Sequence, residues 1–383
     1  MRLRRFSLPL VTPLRTARAE LRRREGVAIA LGGTDWTPPD AAGAEPPPAA
    51  TDDAASPATV GVGEATPLPG WTESFPACVA ALRDARDARD ARHARGDRGA
   101  RDARDALAAL DPSETPAARH GLALAIADAR SRAVGEPLAA TLADEVGLPA
   151  PSASVPVNAT IGDGSPEETA RAAARAVDEG YRCLKLKVGA RGVDADVDRL
   201  RAVRRRIGSD VTLRADANGG WDRSTARRAL RGLEALDVAV VEQPLPAADL
   251  AGLAALCGTA AVDVAVDESL VEHGLRAVLD AGAADVAVLK PMALGGPDLA
   301  AEAARRARAA GVEPIVTTTI DAAIARTAAV HVAATIPDVG ACGLATGQLL
   351  ADDLATDPCP IDDGRIAVPA GPGLAGNAFD DVV

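Results

Sequence analysis

Eight short apolar runs in the second part of the chain constrain its fold more than any other feature. They begin near Val155 and read VPVNATI, RCLKLKVG, VTLRADAN, VAVVEQPL, VDVAVDES, VAVLKPM, PIVTTT and CGLATG. Most are separated by helix-length segments such as 165–180, where Ser165 is a predicted N-cap, Glu168 its capping-box partner and Gly180 the stop signal. Strands that alternate with helices in this way predict an α/β fold, a (β/α)8 barrel. A doubly wound sheet is the alternative, but no Gly-rich phosphate loop follows the first run.

The N-terminal part of the chain has a different texture. RLRRFSLPLV and GVAIALGG are predicted strands, and the Pro/Ala-rich stretch from Thr34 to Pro57 is a predicted loop. Residues 83–105 repeat an Arg-Asp-Ala tripeptide without an apolar face, which is typical of a solvated helix or a disordered insertion. The closing segment, 356–383, is too short for a domain, so we expect it to pack on the N-terminal part.

Composition narrows the class of protein and of partner. With 48% hydrophobic and 25% charged residues the chain should be globular, and its net charge of −12 disfavours nucleic acid or an anionic membrane as partner. Five scattered cysteines without a CxxC pair predict neither a zinc site nor a disulfide framework. The opening MRLRRFSLPLV resembles a twin-arginine signal, but its apolar part is short, and no apolar run is long enough to span a membrane. We therefore expect a soluble cytoplasmic protein, and a homo-oligomer stays open.

Ionisable residues end five consecutive apolar runs. They are spaced 29, 26, 25 and 23 residues apart, about one βα unit each, and comprise Lys187, Asp216, Glu242, Asp267 and Lys290. In barrel enzymes the C-terminal ends of the strands carry the active site. The spacing therefore predicts that all five side chains face one pocket.

The three carboxylates among these residues form a hard, oxygen-only donor set. Such ligands suit Mg²⁺, which binds a few carboxylates and leaves positions for water and substrate oxygens. Zinc is disfavoured because none of the four histidines holds a comparable position; they are His93, His120, His273 and His331. An acidic residue after a strand can instead cap the next helix, an alternative that weakens when three acids hold corresponding positions.

The segment LKLK stands out because the chain otherwise avoids lysine. Of 42 basic residues, three are lysines and 39 are arginines. Lys185 and Lys187 share one face of a strand, since side chains alternate along it. Repulsion between their ammonium groups, burial and a nearby metal ion should each lower their pKa, so that one amine can act as a base near neutral pH. A surface strand with two solvated lysines is the alternative.

Together these groups indicate a reaction class. A divalent ion held by three carboxylates can bind a substrate carboxylate and stabilise the enediolate that forms when the adjacent carbon loses a proton. A lysine on one side would remove that proton, and a cation on the other side would stabilise or reprotonate the intermediate. The predicted substrate is therefore a small carboxylate.

The motifs LKLKVG, RADAN, VEQPL, VAVDESL and VLKP resemble the muconate-lactonizing subgroup of the enolase superfamily. The resemblance extends from about Val155 to Ala351 and includes the whole set in order. It implies a modified TIM-type barrel with an N-terminal α+β capping domain that the C-terminal segment completes. The expected divisions are a capping domain at 1–112 (with the insertion at 83–105), a helical connection at 113–154, a barrel at 155–355 and a returning segment at 356–383.

The same resemblance implies roles for the ionisable residues. Asp216, Glu242 and Asp267 would bind Mg²⁺, with Mn²⁺ as an alternative ion. Lys187 would be the acid and base, Lys185 would tune it, and Lys290 would lie on the opposite face of the substrate.

Parts of the N-terminal region resemble the o-succinylbenzoate synthases in particular. These parts are PLRTA with REG, and GE with PLPG, and GLATGQLLADDL resembles the last barrel strand of that family. The family reaction is syn elimination of water from 2-succinyl-6-hydroxy-2,4-cyclohexadiene-1-carboxylate to give 2-succinylbenzoate in menaquinone biosynthesis. By this resemblance Lys187 would remove the α-proton and protonate the leaving hydroxyl. Lys290 would stay cationic, over the face of the ring.

Further candidates for substrate binding come from the same analogy. For each candidate the alternative is a structural role. This role is a turn or capping residue for most of them and an ion pair for Arg214. They are Arg15 and Thr16 in a capping loop, Arg214 two residues before Asp216, and Thr318, Thr319 and Gly343 at the ends of the last two strands.

Other activities could use the same site. Two lysines on opposite faces leave N-succinylamino acid racemisation open, and a muconate cycloisomerase-like reaction is a further alternative. Dipeptide epimerisation is disfavoured because the Asp-x-Asp of those enzymes is replaced by CGLATG, with Asp352 and Asp353 adjacent and later. Mandelate racemase-type chemistry would need a histidine after the seventh strand, where VTTTID has none. A non-catalytic barrel is an alternative of a different class.

Overall fold

The computed structural model describes residues 1–15, 20–32, 59–94, 103–258 and 261–383. The predicted loop from Thr34 to Pro57 lies outside these ranges. Three N-terminal strands form an antiparallel sheet in the order β1 (Arg2–Arg15), β2 (Glu20–Gly32) and β3 (Thr59–Ala65). Both predicted N-terminal strands are therefore confirmed.

Four helices follow this sheet: α1 (Phe75–Ala94), α2 (Ala103–Leu107), α3 (Pro116–Val134) and α4 (Leu138–Val146). Helix α1 includes the first part of the Arg-Asp-Ala repeat, and residues 95–102 of the repeat lie outside the described ranges. Helix α3 packs on β3 with its backbone close to the sheet, because a Cβ atom at Gly63 would lie 2.0 Å from the carbonyl oxygen of Gly121. The glycines of the sequence GVG thus bring this helix close to the sheet.

Seven parallel strands form the main sheet, in the order β11-β10-β9-β8-β7-β6-β5. Their bounds, with those of β4, are β4 (Ser154–Pro156), β5 (Ala159–Ile161), β6 (Cys183–Lys187), β7 (Thr212–Asp216), β8 (Val238–Glu242), β9 (Asp263–Val266), β10 (Val286–Leu289) and β11 (Glu313–Val316). The helices of this part are α5 (Pro166–Asp178), α6 (Val193–Ile207), α7 (Arg223–Glu234), α8 (Leu250–Ala254), α9 (Glu268–Asp280), α10 (Pro291–Leu294), α11 (Pro297–Ala309) and α12 (Ala323–Ala334).

The predicted eighth strand closes the barrel through two isolated parallel bridges, not through a regular strand. Cys342 pairs with Val157, and Gly343 pairs with Thr317. The two segments meet so closely that a Cβ atom at Gly343 would lie 2.5 Å from Oγ1 of Thr317, which donates a hydrogen bond of 2.8 Å to the Gly343 carbonyl. Gly343 therefore serves barrel closure, because a side chain would clash there.

Local signals that were predicted for the first barrel helix are confirmed. The Ser165 hydroxyl accepts a hydrogen bond from the Glu168 amide (3.3 Å), and the Glu168 carboxylate accepts one from the Ser165 amide (2.9 Å). Helix α5 ends at Asp178, and Gly180 follows with a φ of +91°, a conformation that favours glycine. This capping box fixes the entry of the chain into the barrel helices.

The C-terminal segment contacts the helical connection and the start of the barrel. Strands β12 (Ile361–Asp362) and β13 (Arg365–Ala367) pair with β4. Further along, the Gly373 carbonyl accepts a hydrogen bond from the Leu138 amide (2.8 Å), and the Asp380 carboxylate binds Arg132 (2.7 Å). The fold is thus a modified (β/α)8 barrel with an N-terminal α+β cap that the C-terminal segment completes. Within the described ranges, no helix combines the length and apolar character needed to cross a membrane.

Two buried charges join the N-terminal sheet to the barrel. The Glu64 carboxylate accepts hydrogen bonds from the amides of Ala322 and Ala325 at the start of α12, both 2.9 Å long. The Arg24 guanidinium donates to the carbonyls of Thr66, Pro67 and Ile320. Both side chains are fully buried, so the sheet caps the N-terminus of a barrel helix and fixes the loop before it.

Candidate active site

The six ionisable residues that were predicted from the sequence lie together at the C-terminal ends of neighbouring strands. Register places Lys187, Asp216 and Glu242 at one level, because Lys187 pairs with Asp216 and Asp216 with Glu242 across β6, β7 and β8. Asp267 and Lys290 follow β9 and β10 directly. Parallel strands in register thus bring residues that are far apart in sequence to one end of the barrel.

Lys185 lies between two carboxylates. Its Nζ is 3.0 Å and 3.2 Å from the two oxygens of Glu242, and 3.2 Å from Oδ2 of Asp216. The side chains of Asp216 and Glu242 are 1% and 9% exposed, so this ammonium group is the counter-charge of two buried carboxylates. The alternative of two solvated surface lysines is wrong for Lys185.

Lys187 is the most exposed of the three lysines, with 38% of its side chain accessible. Its Nζ donates to Oδ2 of Asp216 (2.6 Å) and to Oδ1 of Asn218 (2.8 Å). Asn218 has a φ of +44°, and its amide group donates to Oε1 of Glu268 (3.1 Å). Two acceptors therefore fix the end of a lysine that remains open to solvent.

Lys290 reaches the other end of the row of carboxylates. Its Nζ donates to Oδ1 of Asp267 and lies 3.5 Å from the centroid of the Trp71 ring. Trp71 belongs to the segment between β3 and α1, so one side chain from the N-terminal part enters this site.

Asp267 occupies the N-cap position of α9, yet its side chain makes no capping hydrogen bond within that helix. The amide oxygen of Gln243 instead accepts from the backbone amides of Asp267 (2.9 Å) and Ser269 (3.1 Å). Gln243 is fully buried, and its own amide group donates to Leu245 and Ser269. The helix-capping alternative is therefore wrong for Asp267, because Gln243 satisfies the backbone and leaves the carboxylate to Lys290.

Burial and mutual repulsion set the protonation of the carboxylates. Burial raises the pKa of Glu242 to about 7, with the neighbouring Asp216 adding to the rise and Lys185 opposing it. Burial also raises the pKa of Asp267, against the effect of Lys290. Asp216 differs: burial would raise its pKa, but Lys185 and Lys187 together hold it below its usual range. A further positive charge would therefore stabilise the ionised forms of Glu242 and Asp267.

The pKa of Lys185 moves opposite to the prediction. Burial would lower it, but the carboxylates of Glu242 and Asp216 outweigh that effect and hold it above its ordinary value. The prediction of a lowered pKa is wrong for Lys185, because the attraction of carboxylate oxygens within 3.2 Å of its Nζ outweighs the effect of burial.

The chemistry of the donor set fits a hard divalent cation. Asp216, Glu242 and Asp267 are buried, end consecutive strands and offer oxygen ligands, which suit Mg²⁺. Across the described ranges, no three acidic, histidine or cysteine side chains form a ready-made metal cluster. In the protein alone, an ammonium group binds each of the three carboxylates. These three residues could hold such an ion, which would share their carboxylate oxygens with the lysines.

Residues 168–381, more than half of the chain, match the family model for the enolase C-terminal domain-like fold. The chain is a member of the enolase superfamily. Members of this superfamily that resemble the chain are enzymes, and the chain is accordingly an enzyme.

Relatives of this superfamily member have several activities. An o-succinylbenzoate synthase from Thermobifida fusca is 41% identical over 222 residues, which cover 56% of this chain and 67% of that enzyme. An N-succinyl-L-Arg/Lys racemase from Bacillus cereus is 35% identical over 180 residues, 46% of this chain and 48% of that enzyme. The substrate-liganded L-Ala-D/L-Glu epimerase from Bacillus subtilis is 27% identical and superposes with a TM-score of 0.79 over 98% of this chain and 97% of that one.

The outer candidates for substrate binding do not join the carboxylates in the same way. Thr318 Oγ1 lies 2.7 Å from Oγ1 of Thr346, and Thr319 Oγ1 donates to Asp321 (2.5 Å). Arg214 donates to the backbone carbonyl of Ala341 (2.7 Å), next to the closing bridge of the barrel. None of these three hydrogen bonds involves Asp216, Glu242 or Asp267.

Two other candidates lie in the N-terminal hairpin. Arg15 ends β1 and pairs with Glu20, and its side chain lies outside the described part. Thr16 lies outside the described residues altogether.

Four residues of this enolase-superfamily site did not emerge from the sequence. Asn218, Gln243 and Glu268 belong to the quoted motifs RADAN, VEQPL and VAVDESL. Their positions beside predicted ligands could have identified them as residues of the site. Trp71 lies in PLPGW, and more than two hundred residues separate it from Lys290. Only the three-dimensional contact identifies it.

Proposed function

We propose that this protein is an o-succinylbenzoate synthase, which dehydrates 2-succinyl-6-hydroxy-2,4-cyclohexadiene-1-carboxylate to 2-succinylbenzoate in menaquinone biosynthesis. The observation that carries the proposal is the pair of lysines, Lys187 and Lys290, at opposite ends of a row of three buried carboxylates. The 41% identity to the Thermobifida fusca enzyme supports the choice of substrate.

Asp216, Glu242 and Asp267 would hold Mg²⁺, with the substrate carboxylate as a further ligand. When bound, the ion supplies the positive charge that stabilises an enediolate. The raised pKa values of Glu242 and Asp267 support this assignment. They indicate that the neighbouring lysines do not fully compensate the burial of these two carboxylates in the protein alone.

Lys187 would act first as the base and then as the acid. A neutral amine keeps two N–H groups, and Asp216 and Asn218 can accept both, which leaves the lone pair directed to the substrate. The amine takes the α-proton of the substrate and becomes an ammonium group. The same group then gives its proton to the leaving hydroxyl, so that one water molecule departs and the lysine returns to its neutral form.

Lys185 and Lys290 would remain cationic through the reaction. Carboxylates surround Lys185 and hold its pKa above the ordinary value, so its positive charge persists beside Lys187. Lys290 reaches the site from the other side and would stabilise the negative charge that develops on the substrate.

Racemisation of N-succinylamino acids is the second candidate. Lysines at both ends of the carboxylate row could protonate opposite faces of one carbon, and the Bacillus cereus relative is named as a racemase of such substrates. Dehydration ranks first because the N-terminal motifs and the more similar relative both favour it.

The test is a dehydration assay on the purified protein, in which absorbance follows the loss of the cyclohexadiene. We expect activity with Mg²⁺, its loss with EDTA and its return with excess Mg²⁺. Lys187→Ala should lower kcat by about 10² to 10⁴, the usual contribution of a general acid and base. Activity that survives both chelation and Lys187→Ala would refute the mechanism.

A parallel incubation with N-succinylamino acids in D₂O separates the two candidates. α-Deuterium should appear slowly or not at all relative to dehydration. Exchange that is faster than dehydration would make the racemase the better assignment.

A further inference from the structure

The ammonium group of Lys290 has two described partners, and they differ in kind. One is the carboxylate of Asp267, a member of the proposed ligand set, and the other is the face of the Trp71 ring, 3.5 Å from Nζ to the ring centroid. Lys290 is 8% exposed, so water contributes little to its surroundings. If Asp267 binds a metal ion, the ring is the partner that can hold this ammonium group without competing for it.

A tight turn presents the Trp71 ring. In Leu68-Pro69-Gly70-Trp71 the Trp71 amide donates to the Leu68 carbonyl (3.0 Å), and Gly70 has a φ of +91°. Proline second and a positive-φ glycine third are the signature of a type II turn. Thr72 stabilises the turn through two hydrogen bonds. Its hydroxyl accepts one from the Leu68 amide (2.9 Å), and its amide donates one to the Leu68 carbonyl.

The segment that carries this turn is anchored at both ends. On the side of β3, the Thr66 amide lies 3.5 Å from the sulfur of Met292, a fully buried residue two positions after Lys290. On the side of α1, the Glu73 carboxylate accepts from the amides of Ala117 (3.0 Å) and Ala118 (2.8 Å) in the first turn of α3. The position of the ring is therefore determined by contacts on both sides of the turn, one with the barrel and one with α3.

We propose that Trp71 is a positioning residue for Lys290: its ring holds the ammonium group at the site while Asp267 serves the metal. The N-terminal part then contributes directly to the geometry of the reacting groups. The kinetic part of this inference rests on the proposed function, whereas the contact itself does not.

Tryptophan fluorescence tests the contact without metal, substrate or turnover. The chain has three tryptophans, and Trp36→Phe with Trp221→Phe leaves Trp71 as the sole emitter. In this background Lys290→Met should change the intensity and maximum of the emission, because it removes the cation from the ring face. Lys187→Met is the matched control and should leave the emission as it was. Unchanged emission in Lys290→Met, or an equal change in both variants, would overturn the proposal.

Kinetics test the positioning role. Trp71→Phe keeps an aromatic face and should retain kcat within about twofold, whereas Trp71→Leu should lower kcat about tenfold with little change in KM, in line with the usual strength of such contacts. Phe75→Leu is the control, because it removes a second cation–π pair among the described N-terminal residues, in which Arg5 lies 5.9 Å from the Phe75 ring centroid, and it should leave kcat unchanged.

The kinetic outcomes remain distinct from those of the proposed function. Equal kcat values for Trp71→Phe and Trp71→Leu would overturn the positioning role, as would a loss in Trp71→Leu that appears in KM alone. A wild-type protein without dehydratase activity, but with emission that depends on Lys290, would refute the proposed function and support the contact.

Discussion

His331 should make the fold sensitive to acid, and the size of the effect follows from its contacts. The residue is fully buried in α12, where Nδ1 accepts a hydrogen bond from the Ala139 amide (3.2 Å) and Nε2 donates to the Leu374 carbonyl (2.7 Å). These partners require the neutral imidazole, since a second proton would face the Ala139 N–H group. Burial lowers the pKa of His331 to about 4, and the hydrogen bond to Leu374 opposes this only in part.

The sign of the pH effect follows from this lowered pKa. The unfolded chain, with a histidine pKa of about 6.5, binds the proton more readily than the folded chain does. The stabilisation is therefore complete above pH 6.5 and is lost as the pH falls towards 4. For one group with these values, the free energy of unfolding should fall by about 2 kcal/mol between pH 7 and pH 5.

Two measurements check this prediction. NMR titration of the imidazole signals should give a pKa well below 6.5 for the histidine whose resonance disappears in His331→Gln. Urea unfolding at pH 7 and pH 5 should show a smaller loss of stability in His331→Gln than in the wild type, by about 2 kcal/mol. The same loss in both proteins, or a His331 pKa near 6.5, would refute the reasoning.

Three other changes test the fold and the site. Glu64→Ala leaves the amides of Ala322 and Ala325 without a carboxylate partner and should lower the free energy of unfolding by about 2–5 kcal/mol, measured by urea unfolding; a change below 1 kcal/mol would contradict the capping role. Gly63→Val places side-chain atoms where the Gly121 carbonyl lies and should prevent soluble expression or lower Tm sharply, whereas a normal Tm would contradict the close packing of α3. Asn218→Ala removes one acceptor of Lys187 and should lower kcat about tenfold without weakening Mg²⁺ binding, as steady-state kinetics with a Mg²⁺ titration would report; unchanged kcat would contradict its role.

The barrel and the central site were predictable because both depend on periodic patterns. Each βα unit repeats a strand, a helix and an ionisable residue at the strand end, so Lys187, Asp216, Glu242, Asp267 and Lys290 could be read directly. Parallel pairing in register then brings them together without any further information.

Features that depend on distance in space were not predictable. The pKa of Lys185 is set by carboxylates on two other strands, and the number and closeness of these opposite charges cannot be judged from strand alternation alone. Trp71 reaches Lys290 through a turn whose local signature is clear but whose position over the barrel is not. Likewise, CGLATG carries an ordinary strand pattern, yet it forms only two bridges because it closes the barrel against irregular segments.

Because the chain has lysine only at this site, amine-specific reagents can label the pocket selectively. Besides the N-terminal amine, every primary amine of the protein belongs to Lys185, Lys187 or Lys290. Reductive methylation with ¹³C-formaldehyde would thus give an NMR spectrum in which nearly all signals report on the pocket. Among the three lysines, Lys187 has the most accessible side chain and should react first.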